Sequence, residues 1–159
     1  MGLDCSHDAW HGAYSAFMRW RQTLAEVAGL PPLELMEGFY SPLQRGGTSV
    51  PTLYYGLTTL EPAFGPDSRP YLANIDDRLP IRWDCLKPSP LHELLFHSDC
   101  DGEIAADRCG PIADALESLI PLLPEGEADG HIGNWLAKTQ QFVDGLRAAA
   151  AAGEALRFH

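Results

Sequence analysis

The chain has 159 residues, enough for one domain, which at this length buries roughly 70% of the surface its unfolded form exposes. Hydrophobic residues make up 45% and charged residues 21%, values that exclude a disordered or fibrous chain. With 11 Lys+Arg against 22 Asp+Glu the net charge is -11, a field that repels a phosphate backbone, so nucleic acid is not an expected partner.

At the N-terminus, Asp4, His7, Asp8, His11, Arg19 and Arg21 interrupt the apolar core that a secretory leader needs. The densest apolar run, residues 119–123, is five long and contains Pro121, far short of the roughly 18 residues of a membrane span. A cytoplasmic protein without membrane contact is expected. Met1-Gly2-Leu3-Asp4-Cys5-Ser6 has the form of a myristoylation signal, but no basic cluster follows to help a single acyl chain hold a membrane. Cys5, Cys85, Cys100 and Cys109 contain no Cys-x-x-Cys pair, so thiols are expected rather than a redox motif or a four-cysteine zinc site.

Between Ser6 and Gly29, Trp10, Ala13, Tyr14, Phe17, Leu24 and Val27 recur at intervals that predict a helix with one buried stripe. Ser6 can cap its start, and Gly29 followed by Pro31 and Pro32 can stop it. From about 30 to 90, prolines at 31, 32, 42, 51, 62, 66, 70, 80, 88 and 90 break any long helix. A short helix near Leu33 to Glu37 and short strands at Thr52-Leu-Tyr-Tyr55 and Pro80-Ile-Arg-Trp-Asp-Cys85 fit this stretch. Its large apolar residues, among them Phe39, Phe64, Tyr71 and Trp83, predict ordered irregular structure rather than a linker.

Ser89-Pro90 reads as a cap and first-turn proline for a short helix ending near Phe96. Cys109, Ile112, Ala113, Leu116, Leu119, Ile120 and Leu123 then mark a second long helix, bent or restarted at Gly110-Pro111. Trp135, Leu136, Thr139, Phe142, Val143, Leu146 and Ala150 mark a third, ended by Gly153, and Ala155-Leu-Arg-Phe-His159 can add a strand. The expected fold is therefore mainly α: three long helices in a single domain over 1–159, packed around Trp10, Phe17, Leu116, Leu119, Phe142 and Leu146, with a Pro-rich irregular insertion and at most short strands.

Two segments concentrate chemistry. On the predicted first helix His7 and His11 are four residues apart and share a face, with Asp4, Cys5 and Asp8 beside them, all side-chain types that bind zinc or a related divalent ion. An acidic first turn that simply complements the helix dipole is the alternative. His97-Ser-Asp-Cys-Asp-Gly-Glu-Ile104 adds an imidazole, a thiol and three carboxylates. Asp99, Asp101, Gly102 and Ile104 match positions three, five, six and eight of a calcium loop, but His97 and Arg108 fall where hard oxygen ligands are required. A histidine and carboxylate metal site and a plain acidic turn both fit this loop. Cys5 beside His7 and Cys100 are weak nucleophile candidates, and His131 is a ligand, a contact or a surface residue. His92 and His97 lie about 140° apart on a helix and cannot share a metal.

Asp4-Cys-Ser-His-Asp8 with His11-Gly-Ala-Tyr-Ser-Ala-Phe17, then His97-Ser-Asp-Cys-Asp-Gly-Glu-Ile104, Gly130-His-Ile132 and the tail Arg147-Ala-Ala-Ala-Ala-Ala-Gly-Glu-Ala-Leu156, together resemble a family of small bacterial and phage-borne proteins. The resemblance covers both ends and the 97–120 region, carries no activity, and implies a bacterial setting with both histidine segments in one domain.

Two functions follow as expectations. In one, His7, His11, His97 and Asp99 hold a divalent metal ion such as zinc, and Asp101 or Glu103 serves as base in a metal-dependent hydrolase. In the other, the chain is a non-enzymatic interaction or anti-defence protein whose acidic surface engages a protein partner.

Overall fold

The computed structural model describes residues 2–40, 61–68, 72, 75–125, 127–128 and 133–159. These fall into two compact units, Met1–Leu24 with Ser89–His159, and Ala25–Pro88. The fold is mainly α with short two-stranded sheets, as the hydrophobic periodicity predicts.

In the first unit, strands β1 (Gly2–Asp4) and β2 (His11–Ala13) form an antiparallel hairpin that leads into helix α1 (Tyr14–Val27), whose residues beyond Leu24 belong to the second unit. Helix α2 (Leu91–Phe96) starts where the Ser89 hydroxyl accepts the Leu91 N–H at 3.3 Å. After β3 (Glu103–Ile104) come α3 (Ala106–Leu119), β4 (Glu127–Ala128), β5 (Gly133–Asn134), α4 (Trp135–Ala152) and β6 (Leu156–Arg157). Pro111 sits inside α3 without ending it. The Asn134 side chain caps α4 by accepting the Leu136 N–H at 2.8 Å, and Gly153, with φ of 69°, closes it in the left-handed conformation glycine tolerates.

Trp10, Phe17, Leu116, Leu119, Phe142 and Leu146 are all buried, as their spacing predicts. Trp10, Phe17, Trp20, Phe142 and Phe158 form one aromatic cluster, with ring centroids 4.8 to 6.5 Å apart along its contacts. The Trp20 indole N–H donates to the Thr139 hydroxyl at 2.9 Å, which in turn donates to the Trp135 carbonyl, so these buried polar groups are satisfied. Helices α3 and α4 lie side by side, with Arg147 on α4 reaching both Asp114 and Glu117 on α3. Gly145 on α4 admits the turn before β2 so closely that a Cβ there would stand 2.4 Å from the Ala9 Cβ.

The expected first helix starts eight residues late. Residues 6–13 instead form a 3-10 turn (Ser6–Asp8) and strand β2. The Ser6 hydroxyl does not cap a helix but accepts the Arg157 N–H at 2.9 Å, and β1 pairs with β2 through the exposed backbone of Gly12. Trp10 kept the helical rhythm of the sequence because a hairpin flank also buries it.

In the second unit, beyond the end of α1, the described elements are mostly 3-10 turns with isolated bridges. The helix expected near Leu33 is the 3-10 turn Leu33–Leu35. Of the strand expected at 80–85 only Ile81 pairs, exchanging backbone bonds with Leu35 and Glu37 at 2.8 Å, before the chain turns into a 3-10 helix at Trp83–Cys85. One reason is that the Trp83 indole N–H goes to the Glu37 carbonyl, anchoring the turn where a strand would run on. Among the described residues of this stretch Leu33, Leu35, Met36, Phe64, Ile75, Ile81 and Leu86 are buried. The strand expected at 52–55 lies outside the described residues.

Candidate functional site

The N-terminal turn builds one half of the candidate site. Asp4 and His11 are cross-strand partners, and His7 and Asp8 between them both have φ of 57°. Left-handed backbone costs a residue with a side chain roughly 1–2 kcal/mol, so two in a row need strong fixation. Helix α4 supplies part of it: the Gln141 side chain donates to the Asp8 carbonyl at 2.8 Å, and the Lys138 ammonium donates to the His11 carbonyl at 3.2 Å.

His7 and His11 therefore share no helical face. The His11 ring is bracketed by carboxylates, Nδ1 on Asp4 at 2.8 Å and Nε2 on Asp8 at 2.5 Å. Hydrogen bonds to Asp4 and then Asp8 hold its pKa above the ordinary histidine value. A ring that donates from both nitrogens has no lone pair for an ion. His7 places Nε2 3.2 Å from Glu154 and Nδ1 3.3 Å from the Ser6 hydroxyl. The Cys5 thiol is buried, and burial with Asp4 beside it pushes its pKa up to about 12, which removes it as a nucleophile.

The 97–104 loop builds the other half. His97 donates from Nδ1 to the Ser98 carbonyl at 2.7 Å and stacks on Phe158 with centroids 4.1 Å apart. Gly102, at φ of 101°, is required here, since a Cβ would meet the His97 ring at 3.1 Å. The Ser98 hydroxyl donates to Asp101 at 2.7 Å and accepts the Cys100 N–H at 3.4 Å, so the loop is tied by its own side chains. Glu103 faces Arg157 across the β3–β6 pair at 3.6 Å.

Asp99 leads to a residue that sequence reading missed. Arg21 is 1% exposed, with its guanidinium over the Phe17 ring, 3.7 Å from Asp99 and donating to the Leu95 and His97 carbonyls. Burial lowers its pKa and Asp99 opposes that shift. The signal was present: Arg21 follows Phe17 by four residues and precedes Leu24 by three, so it occupies the buried stripe.

The C-terminal tail joins the two halves. Asp4 and His159 exchange backbone hydrogen bonds at 3.2 and 2.9 Å, Cys5 bridges Phe158, and the Phe158 N–H donates to the Gly102 carbonyl at 3.0 Å. The tail runs between the N-terminal strand and the 102–104 segment, giving the ribbon β2–β1–tail–β3. His11 lies in this ribbon and His7, His97 and Asp99 in the turn and loop that border it, and each has a separate partner. Among the described residues no three His, Cys, Asp or Glu side chains are placed to hold a metal ion. Asp101 and Glu103, engaged by Ser98 and Arg157, share no common target, and His131 lies outside the described residues.

Among the described residues no helix is long and apolar enough to cross a membrane. Comparison of the chain with protein-family models, with curated proteins and with solved structures finds no match.

Proposed function

We propose that the chain is a non-enzymatic interaction protein whose acidic surface engages a basic partner protein. The observation that carries this reading is how the surface charge is distributed. Arg108, Arg147 and Arg157 are already tied to carboxylates of the same chain, at 2.8, 2.6 and 3.6 Å. Among the described residues Asp101, Asp107, Glu125 and Asp144 are exposed and form no ion pair. Uncompensated carboxylates in a chain of net charge -11 repel one another, and a basic partner relieves that repulsion while the field speeds its approach. The reading sets the protein in a bacterial cytoplasm, where its cysteines stay thiols and an anti-defence role suits a phage-borne gene.

The test is capture of partners from the producing cell, followed by titration of the purified pair over a range of salt. A basic partner is expected, with an association rate that falls steeply with ionic strength and falls again when Asp101, Asp107 and Asp144 become Asn. Binding indifferent to both overturns the reading.

A second reading is a divalent ion held by His7, His11, His97 and Asp99. What favours it is that both histidine segments border the same C-terminal tail. The side chains as placed do not form a shell, since His11 must first lose a proton and leave Asp4 and Asp8. Stoichiometric zinc, manganese, iron or nickel in protein purified without a histidine tag, with a chelator lowering the melting midpoint, decides for this reading.

A further inference from the structure

The second unit holds a cleft of about 430 Å³ whose lining includes Glu61, Pro62, Phe64, Pro66, Leu72 and Lys87. Small-molecule sites span roughly 300–1,000 Å³. Its frame is backbone: Phe64 bridges Leu86, the Gly65 N–H donates to the Cys85 carbonyl at 3.0 Å, and the Lys87 N–H donates to the Ala63 carbonyl at 2.9 Å. The 3-10 turns Glu61–Ala63 and Pro66–Ser68 flank this pairing and set their prolines along the walls.

Phe64, Leu72 and the two proline rings make the lining largely apolar, and two opposite charges share it. Among the described residues the Glu61 and Lys87 side chains pair neither with each other nor with any other group. A lone anion in the cleft would meet Glu61, and a lone cation would meet Lys87. A neutral apolar molecule would shield both charges from water and compensate neither. A molecule that brings both charges on an apolar body satisfies all three features.

We infer that the cleft binds a free α-amino acid with a hydrophobic side chain, its carboxylate on Lys87, its ammonium on Glu61 and its side chain against Phe64 and Leu72. Gly65 offers an independent handle. Gly65 itself lines the cleft, and among the described residues a Cβ built there meets only the Cys85 carbonyl oxygen, at 3.8 Å, so the backbone accepts a side chain at this position of the lining.

The test is calorimetric titration of the full chain with L-phenylalanine and L-leucine at millimolar concentration. Saturable binding is expected, weakened about tenfold or more for phenylalanine amide, which lacks the carboxylate, and for N-acetylphenylalanine, which lacks the ammonium. Lys87→Met should weaken phenylalanine to the level of its amide and leave the amide unchanged. Glu61→Gln should do the same relative to the N-acetyl form, and Gly65→Val should abolish binding of all of them. Circular dichroism checks that each variant is folded, and if one is not, the wild-type comparison of phenylalanine with its two analogues decides alone. Absence of binding by either amino acid, analogues that bind as tightly as phenylalanine, or affinity retained in both charge variants overturns the inference.

Discussion

Gly145→Ala sets two opposing effects against each other at a single atom. Alanine in a helix interior is favoured over glycine by about 0.8–1.0 kcal/mol, and on that ground alone α4 should gain stability. The added methyl, however, would stand 2.4 Å from the Ala9 Cβ, 2.7 Å from its Cα and 3.0 Å from its N. Carbon atoms pack best at about 3.5–4.0 Å, so the contact is short by more than an ångström, and two of the three atoms are backbone. The turn cannot easily retreat, because the carbonyls of Asp8 and His11 on either side of Ala9 are held by Gln141 and Lys138 of the same helix. Overpacking of this kind costs about 1–3 kcal/mol, and the strain already present at His7 and Asp8 places the cost toward the upper end. The expected net loss is about 1–2 kcal/mol, or roughly 2–8 °C in Tm for a chain of this size. Calorimetric melting of wild type and variant measures it, and Ala9→Gly combined with Gly145→Ala should cost less than the sum of the single changes, because it removes the shortest contact. A variant that gains the full helix-propensity increment would refute the close approach of this turn to α4.

Arg21→Met should lose about 1–3 kcal/mol by leaving the Leu95 and His97 carbonyls without their donor, and hydrogen exchange at Ser98 to Asp101 should accelerate; an exchange pattern identical to wild type refutes the pinning role. His11 is raised in pKa by Asp4 and then Asp8, so its contribution to stability is full below the unfolded value near 6.5 and is lost as pH rises through the folded value. Proton NMR should show His11 titrating above an ordinary histidine, with Asp4→Asn and Asp8→Asn each lowering the midpoint; a wild-type midpoint at or below the ordinary value counts against the bracketed ring. Of the four thiols, Cys100 alone is exposed, so a thiol reagent should modify one cysteine rapidly in the native protein and all four after unfolding without reductant; two or more fast sites contradict the burial of Cys5, Cys85 and Cys109.

Helices α3 and α4 were legible because their apolar stripes and the Gly153 stop act within a few residues of where they are read, whereas the Asn134 cap was not singled out. The N-terminal segment was not. Trp10, Ala13 and Tyr14 sit at helical intervals, yet the residue that decides the conformation is Gly12, and its partner in the hairpin, Leu3, lies outside the periodic window. Both histidine segments were identifiable as clusters, but the groups that settle what the imidazoles do, Glu154, Phe158 and the Ser98 carbonyl, are either distant in sequence or backbone atoms. The buried Arg21 stood on the apolar stripe, where its charge argued against burial until the carbonyls of residues 95 and 97 came into view. In the proline-rich middle, prolines excluded long helices but could not distinguish short strands from 3-10 turns, since both tolerate a residue that has no N–H to donate.

The C-terminal tail, laid between the first strand and residues 102–104, also governs the order in which the first unit can assemble. During synthesis β1 can fold back on β2 at once, but its other edge has no partner until residues 156–159 have emerged. The aromatic cluster waits for the same event, because Phe158 completes it. Contacts that close a loop of almost the whole chain form slowly, so the nascent unit passes through a stage with Phe17 and Phe142 lacking one neighbour and the edge of β1 open. Cells that overproduce the protein should therefore meet their aggregation risk in that interval.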